Sequence, residues 1–286
     1  MKILNFIDDG RAAGGIVIGN SVYPFTELAK HIERFQEFRI ADDVISSDID
    51  QDEIDRLISE HRDKFKGISL NEVRLLPPVL RPGKILCIGV NYREHARESK
   101  QNVMEYPTIF CKFPDSIIGS GDAVNVPEDA EQIDYEGELV LVIGRDGPKP
   151  EDWIFGYTIG NDVSARDLQF RTSQWLLGKA LPTFAPIGPI IVGRNELGLA
   201  GDLQIQTKVN GKMRQNGNTS DMIFDVKAIM TYLSKYFRLM PGDIVFTGTP
   251  EGVILGLPEK DRIWLKHGDT VEISITGIGT LTNKIA

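Results

Sequence analysis

Asp134-Tyr135-Glu136-Gly137-Glu138 opens directly into Leu139-Val140-Leu141-Val142-Ile143-Gly144, and no other stretch constrains the fold as tightly. A continuous Leu, Val and Ile run bounded by glycines predicts a buried strand. Residues i and i+2 of a strand share a face, so Glu136 and Glu138 point the same way, their Cα atoms roughly 6–7 Å apart at about 3.3 Å per residue. Two carboxylates at the edge of a core repel each other and are costly to desolvate. Both stay ionised only where a cation or good donors face them. Oxygen-only ligands suit Mg²⁺, Mn²⁺ or Ca²⁺ rather than a thiolate metal. Taken alone, a Glu-x-Glu also fits a solvated edge strand, and the choice falls to the rest of the chain.

A third carboxylate follows in Asn161-Asp162-Val163-Ser164-Ala165-Arg166-Asp167-Leu168-Gln169. Read as a helix entered near Asn161, this segment places Asp162, Arg166 and Gln169 at i, i+4 and i+7, on one face. An Asp–Arg pair at that spacing is also an ordinary surface ion pair. Upstream, Lys84–Glu98 reads as a strand that runs into a loop and a helical turn, in which His95 and Glu98 lie three residues apart. A carboxylate beside an imidazole orients it and raises its basicity, the arrangement of a general base. His31, His61 and His267 sit among charged or turn residues and are expected in solvent.

Taken in order, these motifs resemble the fumarylacetoacetate hydrolase superfamily, in the branch of acylpyruvate hydrolases and oxaloacetate decarboxylases. The likeness runs from about residue 84 to 282. It is carried by Gly89-Val90-Asn91-Tyr92 with His95 and Glu98, by Asp134–Glu138 and Asn161–Asp167, by Gly178-Lys179, and by Pro241-Gly242-Asp243 through Thr247-Gly248-Thr249-Pro250. The resemblance implies a Mg²⁺ or Mn²⁺ ion on Glu136, Glu138 and Asp162. It implies that Arg166, Gln169, Lys179 and Thr249 contact substrate or the water around the metal, and that His95 and Glu98 ride on a mobile lid. Lys179 would balance substrate charge. Fumarylacetoacetate hydrolases proper carry a further metal-binding Asp seven residues before the lid His. That place is Ile88 here, which speaks against a fourth carboxylate ligand and against fumarylacetoacetate as the substrate.

The implied reaction is hydrolysis of a C–C bond in an acylpyruvate or related 2,4-dioxo acid, giving pyruvate and a carboxylic acid. His95, assisted by Glu98, would activate the water. Decarboxylation of oxaloacetate, or a hydratase-like reaction, is the alternative, because it passes through the same enolate. A binding protein that kept the fold and lost the chemistry would not need all three carboxylates with Lys179, His95 and Glu98. Pocket shape around Asn102–Pro107 and Ser173–Leu181 would set specificity. The family usually forms homodimers, which is the expectation here.

Composition bounds these expectations. A net charge of −9 and no Lys/Arg block argue against nucleic acid and anionic membranes as partners; the small 2-oxo acid that the resemblance implies would have to be bound by local cations. Cys87 and Cys111 lie in apolar runs and read as buried thiols. No charged-then-apolar leader and no apolar stretch of about 18 residues is present, which points to a cytoplasmic protein.

The proline-rich segment 75–83 divides the chain into a small N-terminal domain, residues 1–76, and a catalytic domain, residues 77–286. The first holds a hairpin through Ile16–Tyr23 and a charged helix near Asp52–Phe65. The second is dominated by strands: a hairpin about Asn210-Gly211, an alternating terminal strand with Val271, Ile273 and Ile275 inward, and one amphipathic helix, Met222–Phe237, with Ile223, Val226, Ile229, Met230 and Leu233 as its apolar stripe. The fold class expected is α+β, a mixed curled sheet that the resemblance makes a β-sandwich-like roll. The glycine loop at Thr247–Gly252 lacks the spacing of a nucleotide loop and reads as facing a carboxylate. Lys112 is either a strand-end lysine or a pocket residue.

Overall fold

In the computed structural model of the chain, which describes residues 1–286 apart from Gln101 and Val103, the apolar run after Glu138 forms a strand, Gly137–Ile143, buried at every position. A strand covered on both faces needs no polar alternation, which is why its sequence is continuously apolar. It pairs antiparallel with Ile154–Asn161 on one side and Ile244–Phe246 on the other, inside a twelve-stranded mixed sheet. Outward from Ile154–Asn161 the sheet continues through Ala185–Gly193, Lys2–Asp8, Arg11–Ile18 and Ser21–Pro24; outward from Ile244–Phe246 it continues through Ile85–Gly89, in parallel, and Thr108–Lys112.

A five-stranded sheet, built on Gln204–Val209, Lys212–Asn218, Thr270–Ile275, Gly279–Ile285 and Ala123–Val124, packs over the Gly137–Ile143, Ile154–Asn161 and Ala185–Gly193 strands. The core between them joins Leu139, Leu141 and Ile159 of the large sheet to Ile205, Ile273 and Leu281 of the smaller one. The fold is α+β, with packed mixed sheets and, among the described residues, no closed barrel. The Asn210-Gly211 hairpin has both turn residues at positive φ, 49° and 75°, as a two-residue turn of this type requires. Val271, Ile273 and Ile275 point into the core and their neighbours are half-buried.

Three expectations shift. The amphipathic helix is Val226–Tyr236, four residues shorter at its start. The Asp225 side chain accepts from the Ala228 N–H and caps it there, and the Ile223 N–H is spent on Asn91 O, so Ile223 lies outside the helix. The charged helix is Gln51–His61, capped by Asp50, with a 3₁₀ turn at Arg62–Lys64. Its His61 is half-buried with Nδ1 3.0 Å from Leu57 O, whereas His31 and His267 are exposed as expected. Residues 1–76 hydrogen-bond into the same sheet as the remainder: Lys2 and Ile3 lie opposite Val192 and Ile191, and Ile3 and Phe25 share a core with Val140 and Phe246. No helix among the described residues is long and apolar enough to cross a membrane.

Gly160 lies opposite Glu138, and a Cβ there would sit 2.4 Å from the Phe246 ring and 2.5 Å from Val140 Cγ2. Gly160→Ala is therefore expected to cost about 1–3 kcal/mol through overpacking. Urea denaturation should show a lower midpoint at unchanged slope.

Candidate metal and active site

Glu138 is the second residue of the central strand, and Glu136 lies just before that strand begins. Strand ends place the third carboxylate beside them: the Glu136 N–H donates to Asn161 Oδ1 at 3.0 Å, and the Asp162 N–H donates to Glu136 O at 2.9 Å. One oxygen from each of Glu136, Glu138 and Asp162 falls within a set no wider than 4.8 Å, and all three residues are buried. The expected helix from Asn161 does not form. Asn161 ends a strand, Ser164–Ala165 pairs with Ile133–Asp134, and only Arg166–Gln169 is helical. Arg166 and Gln169 still bond each other within that short helix, whereas Asp162 is brought to Glu136 and Glu138 by the pairing of the strand ends.

Cations close around this group. Lys179 Nζ donates to Glu136 Oε2 at 2.7 Å and to Asp162 Oδ2 at 2.8 Å, and lies 5.2 Å from the centre of the Phe110 ring. Arg166 donates through Nη2 to Glu136 Oε1 at 2.6 Å, through Nε to Asp134 Oδ2 at 3.0 Å, and through Nη1 to Gln169 Oε1 at 3.0 Å. Burial alone would raise the Glu136 carboxyl, but Lys179 and then Arg166 outweigh it and hold the group well below the usual range. Burial works against both cations too, yet Asp162 and Glu136 keep Lys179, and Glu136 and Asp134 keep Arg166, more firmly protonated than usual.

Glu138 is the opposite case. Burial, then Asp162 and Glu136, push its carboxyl well above the usual range. Its hydrogen-bond donor among the described residues is the Gly248 N–H, at 2.6 Å. Asp162 Oδ1 lies 2.6 Å from Lys112 Nζ, an ion pair that this ammonium shares with the carbonyls of Val163, Lys179 and Phe184. Burial draws the Lys112 ammonium below its usual value despite Asp162. A carboxyl repelled by two neighbouring carboxylates, in an all-oxygen set, fits a hard divalent cation held by Glu136, Glu138 and Asp162.

His95 is buried on the Arg93–Glu98 helix, its Nδ1 2.9 Å from Glu98 Oε1. The Gly252 N–H donates to both Glu98 oxygens, at 2.9 and 3.1 Å, so the helix is docked over the carboxylates. Asn91, at the base of the helix, bonds the Thr247 carbonyl and both the carbonyl and N–H of Phe224. Val90 has φ 55°, strained for a β-branched residue, and lines the same pocket as His95, Glu136, Glu138, Arg166, Gln169, Lys179 and Thr249. With the helix docked this pocket holds about 20 Å³ of free space, enough for about one water. Residues 84–286 match the sequence profile of the fumarylacetoacetate (FAA) hydrolase C-terminal region.

The chain belongs to the fumarylacetoacetate hydrolase family. It is 45% identical over 227 residues to the oxaloacetate tautomerase YisK of Bacillus subtilis, covering 76% of this chain and 74% of that one. It is 41% identical over 225 residues to a mitochondrial oxaloacetate tautomerase, fahd2, of Xenopus laevis, covering 76% and 70%. A solved fumarylacetoacetate hydrolase from Exiguobacterium antarcticum superposes with a TM-score of 0.83 at 35% identity, over 100% of this chain and 99% of that one. Members of the family are enzymes, and the carboxylate trio is where this chain fits the family's divalent metal.

Sequence reasoning gave no role to Asp134, a fully buried acceptor for Arg166 and for the N–H groups of Ile254 and Leu255. Its position two residues before Glu136 was the available signal. Lys112 resolves to a buried residue behind Asp162, and the charge inside Ile109-Phe110-Cys111-Lys112-Phe113 was its signal. Thr249 lines the pocket, but its hydroxyl donates to Gly137 O at 2.9 Å and accepts from Gln215 Nε2 at 2.8 Å, so in this state it braces the Glu138 strand. The glycine loop does face a carboxylate, that of Glu138. Trp175 of the Ser173–Leu181 segment lines the pocket, whereas Val103 of Asn102–Pro107 lies outside the described residues. Cys87 is buried and its thiol pushed up by burial; Cys111 is only half-buried.

Two outcomes follow. The raised Glu138 carboxyl contributes stability at low pH that is lost as pH rises through its folded-state pKa. Glu138→Gln should therefore raise the Tm of metal-free protein at neutral pH, by an amount that shrinks on acidification, while removing the Tm gain that Mg²⁺ or Mn²⁺ gives the wild type. Scanning calorimetry across pH with and without metal checks both. Second, a Cβ at Gly256 would lie 2.4 Å from the Glu98 carboxylate carbon. Gly256→Ala should displace Glu98 from His95 and lower kcat by about tenfold or more, part of the roughly 10²–10⁴ that a general base supplies. Metal titration should be unchanged and the pH–rate profile altered.

Proposed function

We propose that this chain interconverts the enol and keto forms of oxaloacetate or a closely related 2-oxo diacid, by moving a proton to and from the carbon next to the 2-oxo group. The likeness to relatives of Bacillus subtilis and Xenopus laevis named as oxaloacetate tautomerases carries this reading. Tautomerisation needs one proton carrier and a stabilised enolate, and His95 on Glu98 above the three carboxylates offers the residues for both.

A divalent ion on Glu136, Glu138 and Asp162 would supply Lewis acidity at the 2-oxo oxygen and lower the cost of the enolate. The residues of the chain do the remainder. Glu98 engages Nδ1 of His95, which leaves Nε2 as the nitrogen that takes the proton from the enol and returns one to carbon. Lys179 spends two N–H groups on Glu136 and Asp162 and offers the third to a substrate oxygen. Arg166, fixed by Asp134 and Gln169, holds positive charge on the wall of the pocket.

Hydrolysis of acylpyruvates is the second reading, supported by the His95–Glu98 dyad and by the name of the Exiguobacterium antarcticum structure. It requires the Arg93–Glu98 helix to admit a water.

Purified protein with Mg²⁺ or Mn²⁺ should accelerate ketonisation of enol-oxaloacetate, followed by loss of enol absorbance, and His95→Ala should slow it about 10²–10⁴-fold. Faster release of pyruvate from acetylpyruvate than ketonisation of oxaloacetate would transfer the assignment to the hydrolase.

A further inference from the structure

With the helix docked and Lys179 across two of the carboxylates, the pocket beside them holds about 20 Å³, so once a 2-oxo carboxylate head takes the place of Lys179 there, the tail of a diacid needs space beyond it. A second cavity of about 640 Å³ adjoins it: Leu255 lines both, and the docked helix contributes His95 to the first and Glu98 to the second. Phe170 and Leu257 give the second cavity apolar walls, Arg262 and Lys100 give it cations, and Glu259 adds an acid on the side of Arg262. Arg262 is half-buried and its Nε donates to Leu257 O at 2.9 Å, which fixes the guanidinium plane. Its two terminal amino groups have no protein partner among the described residues. Glu98, the acid of this wall nearest the catalytic group, is committed to His95 and the Gly252 N–H.

Resting on the reading of the site as one for 2-oxo acids, we infer that this cavity is the subsite for the distal end of the substrate, with Arg262 receiving a second carboxylate. The chain then passes Leu255, and the guanidinium offers the paired N–H geometry that a carboxylate accepts. The ligand class assigned is a 2-oxo dicarboxylic acid. An acylpyruvate with a neutral tail would fill the same space without using the cation.

The test is calorimetric titration of Mg²⁺-loaded full-length protein with pyruvate, which fills the head position alone, and with the stable diacids 2-oxoglutarate and 2-oxoadipate. Wild-type protein is expected to bind at least one diacid about tenfold or more tighter than pyruvate, and Arg262→Gln to weaken that diacid about 10–100-fold, the loss expected of a charged hydrogen bond. Pyruvate affinity and Tm should stay at wild-type values, and Arg262→Lys should restore part of the diacid affinity. Diacid affinity unchanged in Arg262→Gln, an equal loss for pyruvate, or wild-type diacids no tighter than pyruvate would each overturn the subsite while leaving the proposed function standing. Wild-type protein that binds neither pyruvate nor diacid would overturn both.

Discussion

Mutual repulsion among Glu136, Glu138 and Asp162 is the constraint around which the site is built. Buried carboxylates this close cannot all remain ionised without positive charge among them. Lys179 and Arg166 settle on Glu136 and Asp162, and Glu138 is left with the amide of Gly248. Counting Asp134, four buried carboxylates face at most three buried cations, Arg166, Lys179 and Lys112. The surplus is negative, and a divalent ion reverses it, giving an acidic protein one local centre suited to an anionic substrate.

Backbone pairing holds this arrangement against its own repulsion. Glu138 is fixed by a strand paired on both edges, Asp162 by the hydrogen bond from its N–H to Glu136 O, and Gly248 by a left-handed turn with φ 97°. Gln215 of the second sheet accepts from the Gly137 N–H and donates to Thr249, so the smaller sheet braces the strand that carries Glu138. Asp134 couples the pocket-lining Arg166 to the backbone of Ile254 and Leu255, next to the segment on which the His95 helix docks. Cations and carboxylates thus share one network of buried hydrogen bonds, in which loss of a single partner leaves others unsatisfied.

Much of this was legible in the chain because it rests on local pattern. The apolar run announced its strand, Asn210-Gly211 its hairpin, and His95 with Glu98 a contact within one helical turn. Motif order named the family, where spacing alone did not: the helix expected to align Asp162 with Arg166 is absent, and register between Gly137–Ile143 and Ile154–Asn161 instead brings Asp162 beside Glu136 and Glu138. Long-range satisfaction was not legible. That Lys112 reaches three carbonyls, that Thr249 is spent on Gly137, and that the first 76 residues extend the same sheet depend on partners more than fifty residues away. Chemistry within the family was also beyond motifs, because tautomerisation and hydrolysis would use the same carboxylates and differ in whether a water attacks the substrate.

The account stands on the three carboxylates as one divalent-cation site. Crystals grown with Mn²⁺ and measured for anomalous scattering test that most directly. A single strong peak bound by oxygens of Glu136, Glu138 and Asp162, with Lys179 moved off at least one of its two carboxylates, is the expected result. A peak elsewhere, or none at saturating Mn²⁺ with Lys179 still bridging Glu136 and Asp162, would contradict it.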